Sequence, residues 1–199
     1  MSVRAKTIVV GSISAALIVG SVFIPTSYAA TSNTIVNVNV GSAISISTSS
    51  TVALAITPAS GGSASSASDT VSVSTNNTTG YKLQLADSDS TNTLTSGANA
   101  ISAASGTFAA PAALGVNSWG YRIDNAGNFG AGTTTAKTNT SSLGGTWTKV
   151  PVSGAPDTVK STNTTAANDT TTVWYAANVD TTLPNGTYSD TVTYTATTN

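Results

Sequence analysis

Between Thr187 and Ala196 apolar and polar side chains alternate: Tyr188, Val192, Tyr194 and Ala196 share one parity, and Thr187, Ser189, Thr191, Thr193 and Thr195 share the other. A period of two with one apolar side marks a half-buried strand, and the Pro184-Asn185-Gly186 turn gives it a start. Asp190 breaks the pattern, an acid on the apolar side. The same texture recurs upstream. Residues 35–40 predict a strand with Val36, Val38 and Val40 inward, and Ile44 and Ile46, then Val52, Leu54 and Ile56, continue the alternation. Val71 and Val73 mark another strand. Tyr81, Leu83 and Leu85 mark the next, with Lys82 and Gln84 outward, and the Asn- and Gly-containing turn at 76–80 predicts that these two form a hairpin. Trp119, Tyr121 and Ile123 form an aromatic core strand, and Trp147 and Val150 lie in a further one. Val173, Tyr175, Ala177 and Val179 share a parity that leaves Trp174 facing the other way.

Residues 59–68, rich in Ser, Ala and Gly, have no apolar period and read as a flexible linker. A long excursion is expected over 87–113, a loop over 125–145 with Phe129 as its plug, and a polar turn over 161–169. The pattern yields roughly nine or ten short strands and no helix beyond residue 30, which predicts an all-β fold, an Ig-like or Greek-key β-sandwich.

The head of the chain differs. Arg4 and Lys6 precede an apolar run from Thr7 to Ile24, and a short exit ends in Ser27-Tyr28-Ala29. Charged start, apolar middle and small-residue exit describe a signal peptide over 1–29, followed by a single secreted domain over 30–199. The competing reading is an uncleaved anchor, since the run approaches the ~20 residues that a span requires. On either reading the bulk of the chain is exported to the cell surface, and the membrane is met only through that segment.

Composition narrows the field. With the leader gone, Lys82, Arg122, Lys137, Lys149 and Lys160 face eight aspartates, a net charge of −3. Electrostatic attraction to nucleic acid or anionic lipid is not expected. Cysteine is absent, so the exported domain must stand on its core alone, without disulfides. His and Glu are absent too. Imidazole and thiolate chemistry is thereby excluded, and with it the Ser-His-Asp, Cys-His and zinc hydrolase mechanisms. Thr146 with Lys149 and Thr134 with Lys137 have the spacing of a Thr-Lys dyad, but such spacings arise by accident in a Thr-rich chain, and solvated lysines are the expectation. No enzyme is expected. Asp87-Ser88-Asp89 is the closest acid pair, and in its Ser/Asp/Thr/Asn run it reads first as a turn. No cofactor is required. Asp87 and Asp89 with Asn92, or Asp124 with Asn125 and Asn128, do offer the hard oxygens that a structural calcium ion takes, without the spacing or closing Glu of an EF-hand loop.

Among the aromatics, Trp174 is the one at outward parity. Left exposed among Asn and Thr, it is a candidate for sugar stacking or subunit contact.

The phrase Thr79-Gly80-Tyr81-Lys82-Leu83, paired with Gly186-Thr187-Tyr188-Ser189-Asp190-Thr191-Val192-Thr193-Tyr194-Thr195-Ala196, resembles the WxL-type surface domains of Gram-positive bacteria. Tyr81-Lys82-Leu83 and Tyr194-Thr195-Ala196 stand where that family carries its two Trp-x-Leu motifs, with Tyr in place of both Trp and Ala196 in place of the second Leu. The resemblance implies attachment to cell-wall glycan and adds Tyr81 and Tyr194 to Trp174 as candidate binding residues. The terminal Gly-Thr-Tyr phrase is also similar to the last strand of spore coat protein U and related secreted pilins, whose subunits join by strand donation. The expectation is a non-enzymatic cell-surface structural or attachment protein. Its partners would be wall glycan, other surface proteins, or its own copies through edge strands.

Overall fold

A computed structural model describes residues 28–130 and 134–199. The expected leader falls, as far as residue 27, outside the described residues. Among the described residues there is no helix long and apolar enough to cross a membrane.

The described residues fold into ten strands and are all-β: β1 (Ile44–Ser47), β2 (Ser63–Thr75), β3 (Tyr81–Asp87), β4 (Leu94–Ser96), β5 (Asn99–Ala103), β6 (Ser118–Arg122), β7 (Lys137–Thr140), β8 (Asp157–Ser161), β9 (Ala166–Val179) and β10 (Val192–Thr198). Seven of them form one sheet in the order β1-β2-β9-β6-β5-β4, with β7 also on β2, and three form the other in the order β10-β3-β8. The pairings are antiparallel except that of β5 with β6. The expected sandwich is therefore present, and its compact unit runs Val40–Asn199.

Inward parity decides the core. Val71 and Val73 of β2, Trp119 and Tyr121 of β6, and Val173, Tyr175 and Ala177 of β9 meet Tyr81, Leu83 and Leu85 of β3 and Val159 of β8. Phe129 plugs the core as expected, edge-on to Phe108 with ring centroids 5.7 Å apart and tilted against Tyr121 at 6.2 Å. Because the sheets must be held without disulfides, polar ties matter. The Tyr81 hydroxyl of β3 donates to Asp169 Oδ2 of β9 at 2.8 Å, and Lys160 Nζ of β8 donates to Asp169 Oδ1 at 2.6 Å, so one carboxylate links the two sheets. Burial works to raise this carboxyl, but the donations from Lys160 and Tyr81 and the Lys160 charge outweigh it and hold Asp169 below the usual carboxylate range. A depressed folded value stabilises above the unfolded one and is lost as pH falls through it. Asp169→Asn should therefore flatten the stability loss below about pH 4, read as urea midpoints of both proteins from about pH 6 to pH 2.

Besides the strand expected through Trp147 and Val150, which is present only as isolated bridges of Trp147 with Ala112 and Thr148 with Tyr121, four expectations are corrected. First, β2 and β3 do not form a hairpin: β2 pairs β1, β7 and β9, whereas β3 pairs β10 and β8. The turn at 76–80 arches from one sheet to the other, so that Val71 and Val73 face Tyr81, Leu83 and Leu85 across the core rather than beside them. Gly80, at φ 82°, makes that arch, and an added Cβ would strike the Thr162 backbone.

Second, the Ser/Ala run read as a linker is the first half of β2, with Ser63, Ala64, Ser65 and Ser66 all buried. Their hydroxyls replace apolar contact by hydrogen bonds: Ser65 Oγ to Ala55 O at 2.8 Å and from Asn139 N at 3.1 Å, and Ser66 Oγ from Lys137 N at 3.1 Å. Third, β9 begins at Ala166, inside the expected polar turn, because Thr170 to Ala166 complete the ladder against Ser72 to Thr75.

Fourth, the alternating segment at 35–40 is not a strand of the sandwich. It has no strand pairing, and Ile35, Val36, Val38 and Val40 are 84, 81, 80 and 76 % exposed. Val52, Leu54 and Ile56 likewise lie outside any strand, but they are half-buried against the core.

Candidate functional site

Inward parity along β3 runs Tyr81, Leu83, Leu85, Asp87, so the strand that supplies three core side chains ends by sending a carboxylate to the same side. Asp87 is 2 % exposed. Its partner in the β10 ladder is Val192, and Asp190, two residues earlier on the same parity as Val192, is carried to the same place. That is the physical setting of the acid that broke the terminal pattern. Asp89 completes the group through a tight turn, its amide donating to Asp87 Oδ1 at 3.0 Å. One carboxylate oxygen from each of Asp87, Asp89 and Asp190 lies within 4.8 Å of the others.

Backbone bonds hold three segments at this corner. Asp87 N donates to Pro151 O at 2.7 Å, Ser88 N to Thr191 O at 2.9 Å, and Ser153 N to Asp89 O at 2.7 Å. The three acids differ in support. Asp89 accepts from Thr91 N at 2.6 Å and Thr91 Oγ1 at 2.8 Å, which holds its carboxyl below the usual range. Asp190 accepts only from Thr191 N, at 2.7 Å; burial first, and then the facing Asp87, push it up to about 7. Asp87 Oδ2 and Asp190 Oδ2 are buried and have no hydrogen-bond partner. The two ion pairs among the described residues, Arg122–Asp124 and Lys160–Asp169, leave all three acids without a cation. The corner's ionisable groups in mutual reach are three carboxylates. It is an array of hard oxygen donors.

The second acidic stretch is closed. Asp124 Oδ1 accepts from Arg122 Nε at 3.0 Å and Thr134 Oγ1 at 2.6 Å, Asp124 Oδ2 accepts from Thr134 N at 2.5 Å, and Asn128 Nδ2 donates to Ala109 O. The same contacts remove the Thr-Lys spacings: Thr134 serves Asp124, Lys137 Nζ donates to Leu143 O at 2.7 Å, and Lys149 is exposed.

The three aromatic candidates do not come together. Tyr81 is fully buried, its ring in the core and its hydroxyl spent on Asp169, so it offers a ligand no surface. Tyr194 is half-buried further along the β3 ladder, opposite Leu85, with its hydroxyl 2.7 Å from that of Tyr175. Burial and then the Tyr175 neighbour raise its hydroxyl well above the usual tyrosine value. Trp174 lies on the outer side of β9, between Ser68 and Arg122 of the flanking strands, and is half-buried rather than exposed. The outer side is covered further along, where Ala64, Arg122 and Ala176 are also buried and the fully buried Trp147 packs under the Arg122 guanidinium at 5.9 Å. What the strands at 81–87 and 192–198 do share is each other: Leu83 pairs with Ala196 and Tyr81 with Thr198, so the two segments compared with the WxL motifs are neighbours in one sheet.

Sequence reasoning had Asp87 and Asp89 and noted Asp190 as a misfit, but it did not join them. The signal was the parity of Asp190, and joining it to Asp87 required the β3–β10 register.

Comparison of the chain with protein-family models, with curated proteins and with solved structures finds no match.

Proposed function

We propose that this is a secreted, non-enzymatic structural protein of the cell surface whose copies join by strand addition. One observation carries the reading: Val36, Val38 and Val40 share one side of a period-two pattern, and they and Ile35 are exposed to solvent. Valines alternating with Asn37 and Asn39 suit a strand with one buried side, and water is a poor partner for that side.

The sandwich has an edge of matching chemistry. β10 is terminal in the three-stranded sheet, so one row of its backbone groups is unpaired, and its inward side chains Val192, Tyr194 and Ala196 are only half-buried. Thr, rather than Lys or Pro, alternates with those side chains along β10, so the strand itself carries neither of the residues that commonly deter a further strand. In this reading residues 35–40 of one copy add to β10 of the next, and backbone hydrogen bonds supply affinity while alternate Val side chains supply register.

The purified protein is then expected to form filaments or oligomers whose amount rises with concentration, seen by negative-stain microscopy and sedimentation. Val38→Lys should raise the concentration required by at least ~10-fold, since a charge on the buried side of an added strand costs well over the 1.4 kcal/mol of one decade. A protein that stays monomeric at every concentration would refute the reading, as would a Val38→Lys variant that assembles like the parent. Pelleting with purified peptidoglycan by a protein that never assembles would instead favour wall attachment.

A further inference from the structure

We propose that Asp87, Asp89 and Asp190 bind a calcium ion that fastens the start of β10 to the end of β3. The site does not depend on how copies join. Three acidic side chains by themselves are commonplace on a surface; what sets this corner apart is that Asp87 is 2 % exposed and its Oδ2 has no donor. A carboxylate oxygen taken out of water and given no hydrogen bond is among the costliest groups a fold can hold, and native folds pair such groups. Asp190 Oδ2 is in the same condition beside it. Neither oxygen is served by Lys or Arg.

A cation answers both needs at once, neutralising the repulsion and supplying the missing partner. The donor set selects the metal class. All three donors are carboxylate oxygens, within 4.8 Å of one another, which suits a hard ion and excludes metals that prefer nitrogen or sulfur. Asp89 is exposed, so water can complete the shell, and the flexible coordination of calcium tolerates such a corner better than the strict octahedron of magnesium does. The three segments tied at this corner, the end of β3, residues 151–153 and the approach to β10, would be locked together by the bound ion.

The test is calorimetric titration of CaCl2 into the chelator-treated full-length protein, with thermal melting alongside. One binding event is expected, half-saturated between about 0.1 and 1 mM, with a saturable rise in Tm on the order of 5 °C. Asp190→Asn and Asp87→Asn should each weaken binding at least tenfold and abolish the rise in Tm. Without calcium the Asp190→Asn protein should melt no lower than the parent, because one like charge has gone, so lost binding cannot be put down to misfolding. The proposal is overturned by an absence of binding up to 10 mM CaCl2 (roughly the upper range of extracellular calcium modules) or by either variant binding like the parent. It is equally overturned by an identical rise in Tm with MgCl2 or with NaCl of matched ionic strength, which would reduce the effect to screening.

Discussion

Tyr121→Ala is expected to cost about 4 kcal/mol of folding stability, a large share of the roughly 5 to 15 kcal/mol that holds an ordinary domain together. The ring is fully buried in the central region of the seven-stranded sheet, stands against Phe129, and has Tyr175 of β9 as its ladder partner. Its hydroxyl crosses to the other sheet, donating to Asp157 Oδ2 of β8 at 2.7 Å. Burial and then that hydrogen bond keep the hydroxyl protonated well beyond the ordinary tyrosine range. Truncation thus removes core volume and a tie between sheets together. Tyr121→Phe separates the two effects: it keeps the ring, leaves Asp157 Oδ2 short of a donor, and should cost about 1 to 2 kcal/mol. Burial already raises the Asp157 carboxyl against the opposing pull of Tyr121, so losing the hydroxyl should raise it further. Urea unfolding of the three proteins checks the order; a Tyr121→Ala protein within 1 kcal/mol of the parent (roughly an exposed-site effect) would contradict this account of the core.

Gly120→Ala is expected to be comparably damaging for the opposite reason, lack of room. Tyr121 N donates to Thr148 O at 2.8 Å and Thr148 N to Tyr121 O at 2.9 Å, which draws that segment tight against β6. A Cβ on Gly120 would run into the Thr148 carbonyl oxygen and come within 2.9 Å of the Ala104 methyl group. Both obstacles are backbone or short side chain, with no rotamer to swing aside, so the strand or the segment must move, at a cost of about 3 kcal/mol. Gly115→Ala is the matched control: its nearest neighbour would be Ser118 Oγ at 3.6 Å, ordinary contact, and it should lie within about 0.5 kcal/mol of the parent. Comparable losses from the two substitutions would show that the damage reflects glycine replacement in general and not crowding at β6.

Strands that bury large apolar side chains on one side were legible in the chain. Tyr81, Leu83 and Leu85, Trp119 and Tyr121, and Val173 to Val179 lie where alternation put them, with Lys82 outward. Alternation reports burial, however, and not the identity of the neighbour. It placed Val73 and Tyr81 on adjacent strands and could not distinguish that from facing sheets. It also passed over residues 63–68, whose interior is built from Ser and Ala and stabilised by hydroxyl bonds that no hydropathy pattern records. At 35–40 it reported a face in need of cover while the structure leaves that face in solvent. The acidic corner was half legible. Asp87 and Asp89 are neighbours in the chain, whereas Asp190 reaches them only through the pairing of Asp87 with Val192.

The longest ladder in the molecule has a kinetic consequence. Ser63 pairs with Val179 and Thr75 with Ala166, so β2 finds its principal neighbour only near the far end of the chain. Loop closure across such a span must precede any reward from contact, and sheets of this topology fold on the millisecond-to-second scale. Residues before Ala166 can form the β1–β2, β2–β7, β3–β8, β4–β5 and β5–β6 pairs, but not the central ladder of β2 with β9. A ladder that cannot close until β9 has been made keeps β2 without its main neighbour longer than strands paired through a short turn would be.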